Sequence, residues 1–261
     1  MEKTCSFCGV SLTRENRANE HVIPKWLLKL LEIERDEQHT SSIRSLEGQV
    51  VFQKSFGATN IVFGNVCKEC NHGWLSALEA DVKIIFERLF KCQPTALTNT
   101  ESQLLGLWAY KTALLLTRTA DEARKNLVRD EALVNLFNTK AVPADAHVSL
   151  VTSITDPLRK AHVHIGQPEF RQIDATKASK EEFTALVNSS LGFAVHMQFG
   201  PIFLRVISIT PRKKWKMNDQ NINRFHVLGP EGGNIHWPPE KWLDKSFDDI
   251  ALGIYFELRH L

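Results

Sequence analysis

Four of the five cysteines fall in two C-x2-C pairs, Cys5 with Cys8 and Cys67 with Cys70. A two-residue gap lets both sulfurs of a pair reach one tetrahedral ion, so the four thiolates are candidate ligands of one zinc. A four-sulfur shell is closed to water and substrate, and such a zinc holds the fold and does no chemistry. Ordinary buried cysteines or disulfides are the alternative for either pair. Cys92, left over, is expected as a small buried apolar residue. Between the pairs stand Glu20 and His21, a carboxylate followed directly by an imidazole, and Asn71 brings a hard neutral amide oxygen just after the last cysteine. In an extended segment adjacent side chains point to opposite faces. One of Glu20 and His21 can then hold a metal while the other faces the water it activates. A neutral imidazole near pH 7 suits a general base, and a divalent ion held through oxygen stabilises charge on a phosphate and its leaving oxygen. These are the parts that phosphodiester hydrolysis needs.

Taken as one pattern, C-x2-C, then Glu20-His21 with Ile23-Pro24, then C-x2-C-Asn71 opening a helix, this stretch resembles the HNH endonuclease family. The resemblance covers roughly residues 1 to 90. It implies a ββα-metal core on a zinc-bearing, treble-clef-like finger, with His21 as general base. Glu20 and Asn71 would hold a catalytic Mg2+ or Mn2+, and the substrate would be nucleic acid, DNA above all, cut to 5′-phosphate and 3′-hydroxyl ends. The family more often has Asp where this chain has Glu20. Its middle Asn sits ahead of the second cysteine pair, where Asn60 and Asn65 compete for the part and Asn65 is favoured. His72 is open among metal ligand, phosphate contact and exposed helix-start residue. A single finger cuts one strand, so a double-strand break requires a homodimer or two events. Stand-alone nucleases of this kind commonly belong to mobile elements, phage or bacterial defence.

The elements that must position these residues are legible in outline. With 261 residues, 43% hydrophobic and 24% charged, the composition is that of a soluble globular protein with an α+β pattern. Residues 1–92 are expected as the nuclease domain and 93–261 as an accessory domain of helices and a mostly antiparallel sheet, for substrate positioning, partner contact or regulation. No apolar run spans a bilayer and the charged start has no signal-peptide core, which implies a cytoplasmic protein with reduced thiols. Lys25 to Leu31 reads as an amphipathic helix after Pro24, with Trp26, Leu27, Leu30 and Leu31 inward. Asp36 to Ser45 reads as a polar loop, and Gln49 to Gln53 and Asn60 to Phe63 as strands with turns at Gly57 and Gly64. Asn71 to Cys92 predicts a helix with an apolar stripe from Trp74 to Leu89, its positive end directed at a bound phosphate. Glu79 lies two turns along it and is expected to brace the fold. A further helix is capped at Thr98 or Thr100 and carries Trp108 and Lys111, read as core packing or as a segment similar to one that follows the nuclease core in bacterial relatives. Another is predicted over Asp121 to Lys140.

Beyond Pro143 the period changes to that of strands, over 148–151, 162–165, 193–199 and 202–209, with Gly200-Pro201 turning the last pair. Residues 250–258 form a last helix or strand. His162, His164 and His196 read as ordinary polar-face residues of this sheet and not as a second metal site. The net charge is only +2, so a nucleic-acid partner needs a local basic surface. Arg14, Arg17 and Lys25 beside the motif, and Arg212, Lys213 and Lys214 around the Trp215 ring, are the candidates, with a solvated loop as the alternative in each case. The competing function is a non-catalytic zinc-finger module that binds nucleic acid or protein, which needs the cysteines but not Glu20, His21 and Asn71 together.

Overall fold

The computed structural model describes residues 3–33, 38–44, 50–57, 61–120, 126–152, 161–172, 178–219, 225–229, 233–238 and 254–258. A tight turn carries the first cysteine pair: the Cys5 N–H donates to Val10 O at 2.8 Å and the Gly9 N–H returns to Cys5 O at 2.9 Å. Gly9 closes it at φ +76°, a conformation that favours glycine. Strand β1 (Arg17–His21) follows, then helix α1 (Lys25–Leu30), with Pro24 at its N-cap in extended conformation. Trp26, Leu27, Leu30 and Leu31 pack into the core as expected, together with Leu28.

Strands β2 (Gln38–Arg44) and β3 (Val50–Gly57) then pair antiparallel. The polar loop expected over 36–45 is therefore a strand over 38–44, with residues 36, 37 and 45 outside the described residues. Pairing with the β-prone Val50-Val51-Phe52 run overrides the weak propensity of its polar partner. Strand β4 (Val62–Cys67) returns along β1, with Cys67 opposite Arg17 and Val62 opposite His21. Gly64 lies inside β4 and is not a turn. It leaves room for Arg17, whose Nη2 would be 2.8 Å from an added Cβ.

The chain passes without a break from β4 into helix α2 (Lys68–Cys70), a π-helical stretch, Asn71–Leu75, and helix α3 (Ser76–Phe90). The helix thus begins earlier than the Asn71 start expected from its apolar stripe. Leu75, Leu78, Val82, Ile85, Phe86 and Leu89 are the buried face. After β5 (Thr95–Leu97) comes helix α4 (Asn99–Thr119), set by a capping box in which the Thr98 hydroxyl accepts the Glu101 N–H and the Glu101 carboxylate accepts the Thr98 N–H. Helix α5 (Ala132–Thr139) is the described helical part of the stretch expected over 121–140; residues 121–125 lie outside the description and turns occupy 126–131.

The remainder is the α+β arrangement expected from the change of period. Strands β6 (Ala146–Thr152), β7 (Ala161–Gly166), β8 (Glu169–Arg171), helix α6 (Lys180–Ser189) and strands β9 (Leu191–Phe199), β10 (Ile202–Thr210), β11 (Trp215–Asp219), β12 (His226–Leu228), β13 (Ile235–Trp237) and β14 (Ile254–Leu258) complete the described chain. An antiparallel sheet runs β12-β6-β10-β9-β7, and a smaller one runs β11-β14-β8 with a parallel β14–β8 pair. Gly200-Pro201 turns β9 into β10 with Phe199 opposite Ile202, as expected. Residues 250–253, Pro239 and Trp242 lie outside the described residues.

Val148, Leu150, Val195, Met197, Phe199, Leu204 and Val206 lie in one buried cluster with α4 and the N-terminal elements, extending from Cys5 to Trp237. The expected boundary at residue 92 is thus crossed by continuous apolar packing. Among the described residues no helix is long and apolar enough to cross a membrane.

Candidate metal centre and adjoining polar site

The Sγ atoms of Cys5, Cys8, Cys67 and Cys70 all lie within 4.8 Å of one another. Cys8 and Cys67 are 3.7 Å apart, close to the roughly 3.8 Å edge of a tetrahedron with zinc–sulfur bonds of about 2.3 Å. All four are free thiols, so the disulfide alternative falls. Cys5, Cys67 and Cys70 are buried and Cys8 is exposed. Soft donors in that arrangement fit a structural zinc. Among the described residues they are the one group of three or more His, Cys, Asp or Glu side chains close enough to share an ion.

Local structure explains how the two pairs meet. The Ser6 N–H donates to Asn65 O at 2.9 Å and the Lys68 N–H to Asn16 O at 2.6 Å, tying the first turn to β4 and the connector to the helix start. The Cys67 N–H points to Cys5 Sγ and the Cys70 N–H to Cys67 Sγ, both at 3.4 Å. The positive end of the helix therefore faces the sulfurs, because the helix starts at Lys68 with Cys67 as its N-cap and not at Asn71. Phe7, fully buried between the first two cysteines, meets Trp74 edge-on at 5.3 Å. Asn65 serves through its backbone, with its side chain exposed, and Asn60 lies outside the described residues.

Glu20 and His21 sit at the end of β1, which packs against the Asn71–Leu75 stretch. The alternation expected of a strand is present: Glu20 is buried and His21 half-buried. Burial, followed by the neighbouring Lys25 ammonium, holds the His21 imidazole below its ordinary value against the opposing pull of Glu20, so it is neutral at pH 7. The Asn71 Oδ1 atom is buried with no hydrogen-bond partner. Such an acceptor is costly to bury unpaired, and a hard cation satisfies it. His72 is exposed one position further on.

The carboxylate of Glu20 is not free. Its Oε1 accepts a hydrogen bond at 2.9 Å from Lys111 Nζ, and the same ammonium reaches Glu79 Oε1 at 3.1 Å. A cation at Glu20 would take Oε2. The Lys111 side chain is fully buried. Burial alone would lower its pKa, yet the two carboxylates hold it above the ordinary lysine value, and it stays charged. Burial pushes the Glu79 carboxyl up while Lys111 opposes that shift. Glu79 braces the fold as expected of it, but through an ion pair and from beside the motif.

Sequence reasoning missed Lys111 as a member of this cluster. The available signal was its setting: it is the one charged residue between Glu101 and Arg118, in a helix otherwise apolar on nearly every face. A charge in such a helix is buried and must be paired.

The basic candidates fall into two places. Arg14 and Arg17, with Lys3, Thr13 and Asn19, line a cleft of about 640 Å3 along β1, and among the described residues no acidic side chain lines it. Arg17 is fixed there by its Nε donating to Gly64 O at 2.7 Å. Lys25 is exposed at the start of α1. Arg212, Lys213 and Lys214 form a 3-10 turn against the small sheet, and the expected interleaved ring is not at the surface. Trp215 is fully buried against Phe170 and Phe183, its indole N–H bonded to Ser190 Oγ, because β11 places it on the inner face. His164 lies directly across from His196, with ring centroids 5.8 Å apart. Cys92, expected to be buried, is partly exposed in a left-handed conformation that ends the turn after α3. Compared with known proteins, the chain matches no family model, no curated protein and no solved structure.

Proposed function

We propose that this protein is a metal-dependent endonuclease of the HNH type, with a treble-clef-like ββα-metal finger over residues 1–92 and phosphodiester bonds of nucleic acid, DNA above all, as its substrate. The observation that carries the proposal is the joining of the chemistry to the cysteine frame. The strand bearing Glu20 and His21 is hydrogen-bonded to the strand that ends in Cys67, and it packs on the turn bearing the unpaired Asn71 oxygen. Zinc at Cys5, Cys8, Cys67 and Cys70 keeps the two strands and the helix start in register. Glu20 and Asn71 would hold the catalytic cation, and both offer hard oxygen donors of the kind Mg2+ and Mn2+ take. When bound, such an ion would supply charge neutralisation at the scissile phosphate and the leaving oxygen.

His21, neutral at working pH, takes the proton of the attacking water. Arg14, Arg17 and Lys3 in the cleft along β1, with Lys25 beyond it, hold the phosphate backbone. Arg212, Lys213 and Lys214 offer a separate basic contact, and His72 at the exposed turn contributes to the cation or a phosphate. The C-terminal part positions substrate or a partner, the protein acts in the cytoplasm, and cutting both strands takes a homodimer or two events. A place in phage or bacterial defence follows from the family association alone.

One observation favours a second reading. Glu20 is buried and ion-paired with Lys111, as a residue of a purely structural core would be, which suits a non-catalytic zinc module that binds nucleic acid or protein. Plasmid DNA and a structured RNA, each incubated with zinc-loaded protein in Mn2+, separate the two. Nicks that DNA ligase reseals, diagnostic of 5′-phosphate and 3′-hydroxyl ends, are expected. Intact DNA and RNA in both Mg2+ and Mn2+ would remove the nuclease reading.

A further inference from the structure

Lys111 lies 91 residues from Glu20 in the chain and 32 from Glu79, on a helix that also packs on the five-stranded sheet. We propose that Lys111 is a positioning residue for the catalytic cation: its bond to Glu20 Oε1 fixes the rotation of that carboxylate and presents Oε2 to the ion. The inference rests on the nuclease reading, with Glu20 as a cation ligand.

A buried carboxylate such as that of Glu20 rotates about its terminal bond unless a donor holds one oxygen. Metal-ligating groups are generally held so, and the partners that hold them affect metal affinity strongly. An ammonium in this role has an electrostatic drawback, because alone it would cancel the charge that attracts a divalent ion. Glu79 removes the drawback. It accepts from the same ammonium, so the three groups carry a net charge of −1, the charge of Glu20 alone. The ammonium is also held between two carboxylates and cannot swing away from either. Because α4 delivers Lys111, residues beyond 92 are part of the site and not an appendage to it.

The test uses full-length, zinc-loaded protein and Mn2+ alone, with free Mn2+ read by electron paramagnetic resonance in the absence of nucleic acid. The double variant Glu79→Gln with Lys111→Met keeps the net charge of the cluster at −1 while removing the bond to Glu20, so its effect reports orientation and not charge. About 10- to 100-fold weaker Mn2+ binding is expected, with zinc content and cooperative unfolding retained. An unchanged Mn2+ midpoint, or a wild type that binds no Mn2+, overturns the proposal. A wild type that binds Mn2+ but cleaves nothing removes the nuclease reading, and the midpoint comparison still decides the role of Lys111.

Should the double variant lose its zinc, the wild type supplies a second readout. The Lys111 ammonium, fully buried between its two carboxylates, is expected to give an observable signal by 15N-resolved NMR, which Mn2+ bound at Glu20 bleaches at the binding midpoint. A Lys111 signal that survives Mn2+ saturation overturns the proposal.

Discussion

Replacing Lys111 with methionine removes the ammonium that bridges the buried Glu20 carboxylate and the partly buried Glu79 carboxylate while nearly preserving side-chain volume. At an effective dielectric constant of about 20, contacts of 2.9 and 3.1 Å each give roughly 5 kcal/mol of Coulomb attraction. Most of that is offset by desolvating the ammonium and by the mutual repulsion of the carboxylates. The net loss on deleting one partner of such a cluster is about 3–5 kcal/mol, because the Glu20 charge left behind is buried and uncompensated. For a chain of this size that lowers the melting temperature by about 6–20 °C. Glu79→Gln alone is expected to cost no more than about 1 kcal/mol, since burial already disfavours its charged form. The double variant should then be more stable than the sum of the singles indicates, by about 1–3 kcal/mol. Urea unfolding of the four proteins, followed by tryptophan fluorescence at fixed zinc, gives the cycle. A loss under about 1 kcal/mol for Lys111→Met, or additivity within about 0.5 kcal/mol, would show that the charges do not interact as drawn.

Gly200→Ala should cost about 2–4 kcal/mol, summing the left-handed conformation at φ +56° and a Cβ placed 2.5 Å from Phe90 Cε2; Gly9→Ala, with φ +76° and nothing within 4 Å of its Cβ, should cost only the first part, about 1–2 kcal/mol. Thermal melts of the two variants separate strain from crowding. Burial, then His164, then Arg205 hold His196 well below its ordinary value of 6.5, so its folded form resists a proton that the unfolded chain accepts. Its contribution is present above pH 6.5 and is lost as the pH falls through the depressed value, by up to about 1.4 kcal/mol per pH unit. His196→Gln should therefore flatten the acid limb of the stability profile, measured as urea midpoints between pH 7.5 and 4.5. Chelating zinc should unfold the β1–β4 pair and the helix start together, with restoration by zinc but not by Mg2+, as circular dichroism would follow.

The cysteine frame was legible from spacing because a tetrahedral site constrains residues close in sequence: two pairs with two-residue gaps must converge if they share an ion. The stripe along α3 and the turn at Gly200-Pro201 were legible for the same reason, each being a local pattern with one structural solution, and the cap of α4 was legible to within Thr98 or Thr100, of which the capping box uses Thr98. The β2 strand was not, because Gln38-His39-Thr40-Ser41-Ser42 has no apolar alternation and is a strand only through its pairing with β3. Trp215 looked like an exposed ring among lysines because five residues of sequence do not reveal which face of β11 is covered. The Lys111 cluster was the largest omission. Its members come from β1, α3 and α4, and only the crossing of those elements brings the charges within 3.1 Å. Glu20 and His21 stand out in the sequence as adjacent candidates, but the sequence does not reveal that one carboxylate oxygen of Glu20 is taken by Lys111.

The central claim is that His21 activates water at a cation held beside the cysteine frame. It is tested most directly by plasmid nicking with wild type and His21→Ala side by side, in Mg2+, Mn2+ and EDTA, with zinc content and unfolding measured on both. The His21 ring is half-buried at a strand end, so the variant should fold and keep its zinc. Metal-dependent nicking by the wild type, reduced at least about 100-fold in the variant, is the expected result. Equal nicking by a folded, zinc-loaded variant would contradict the assignment of the base.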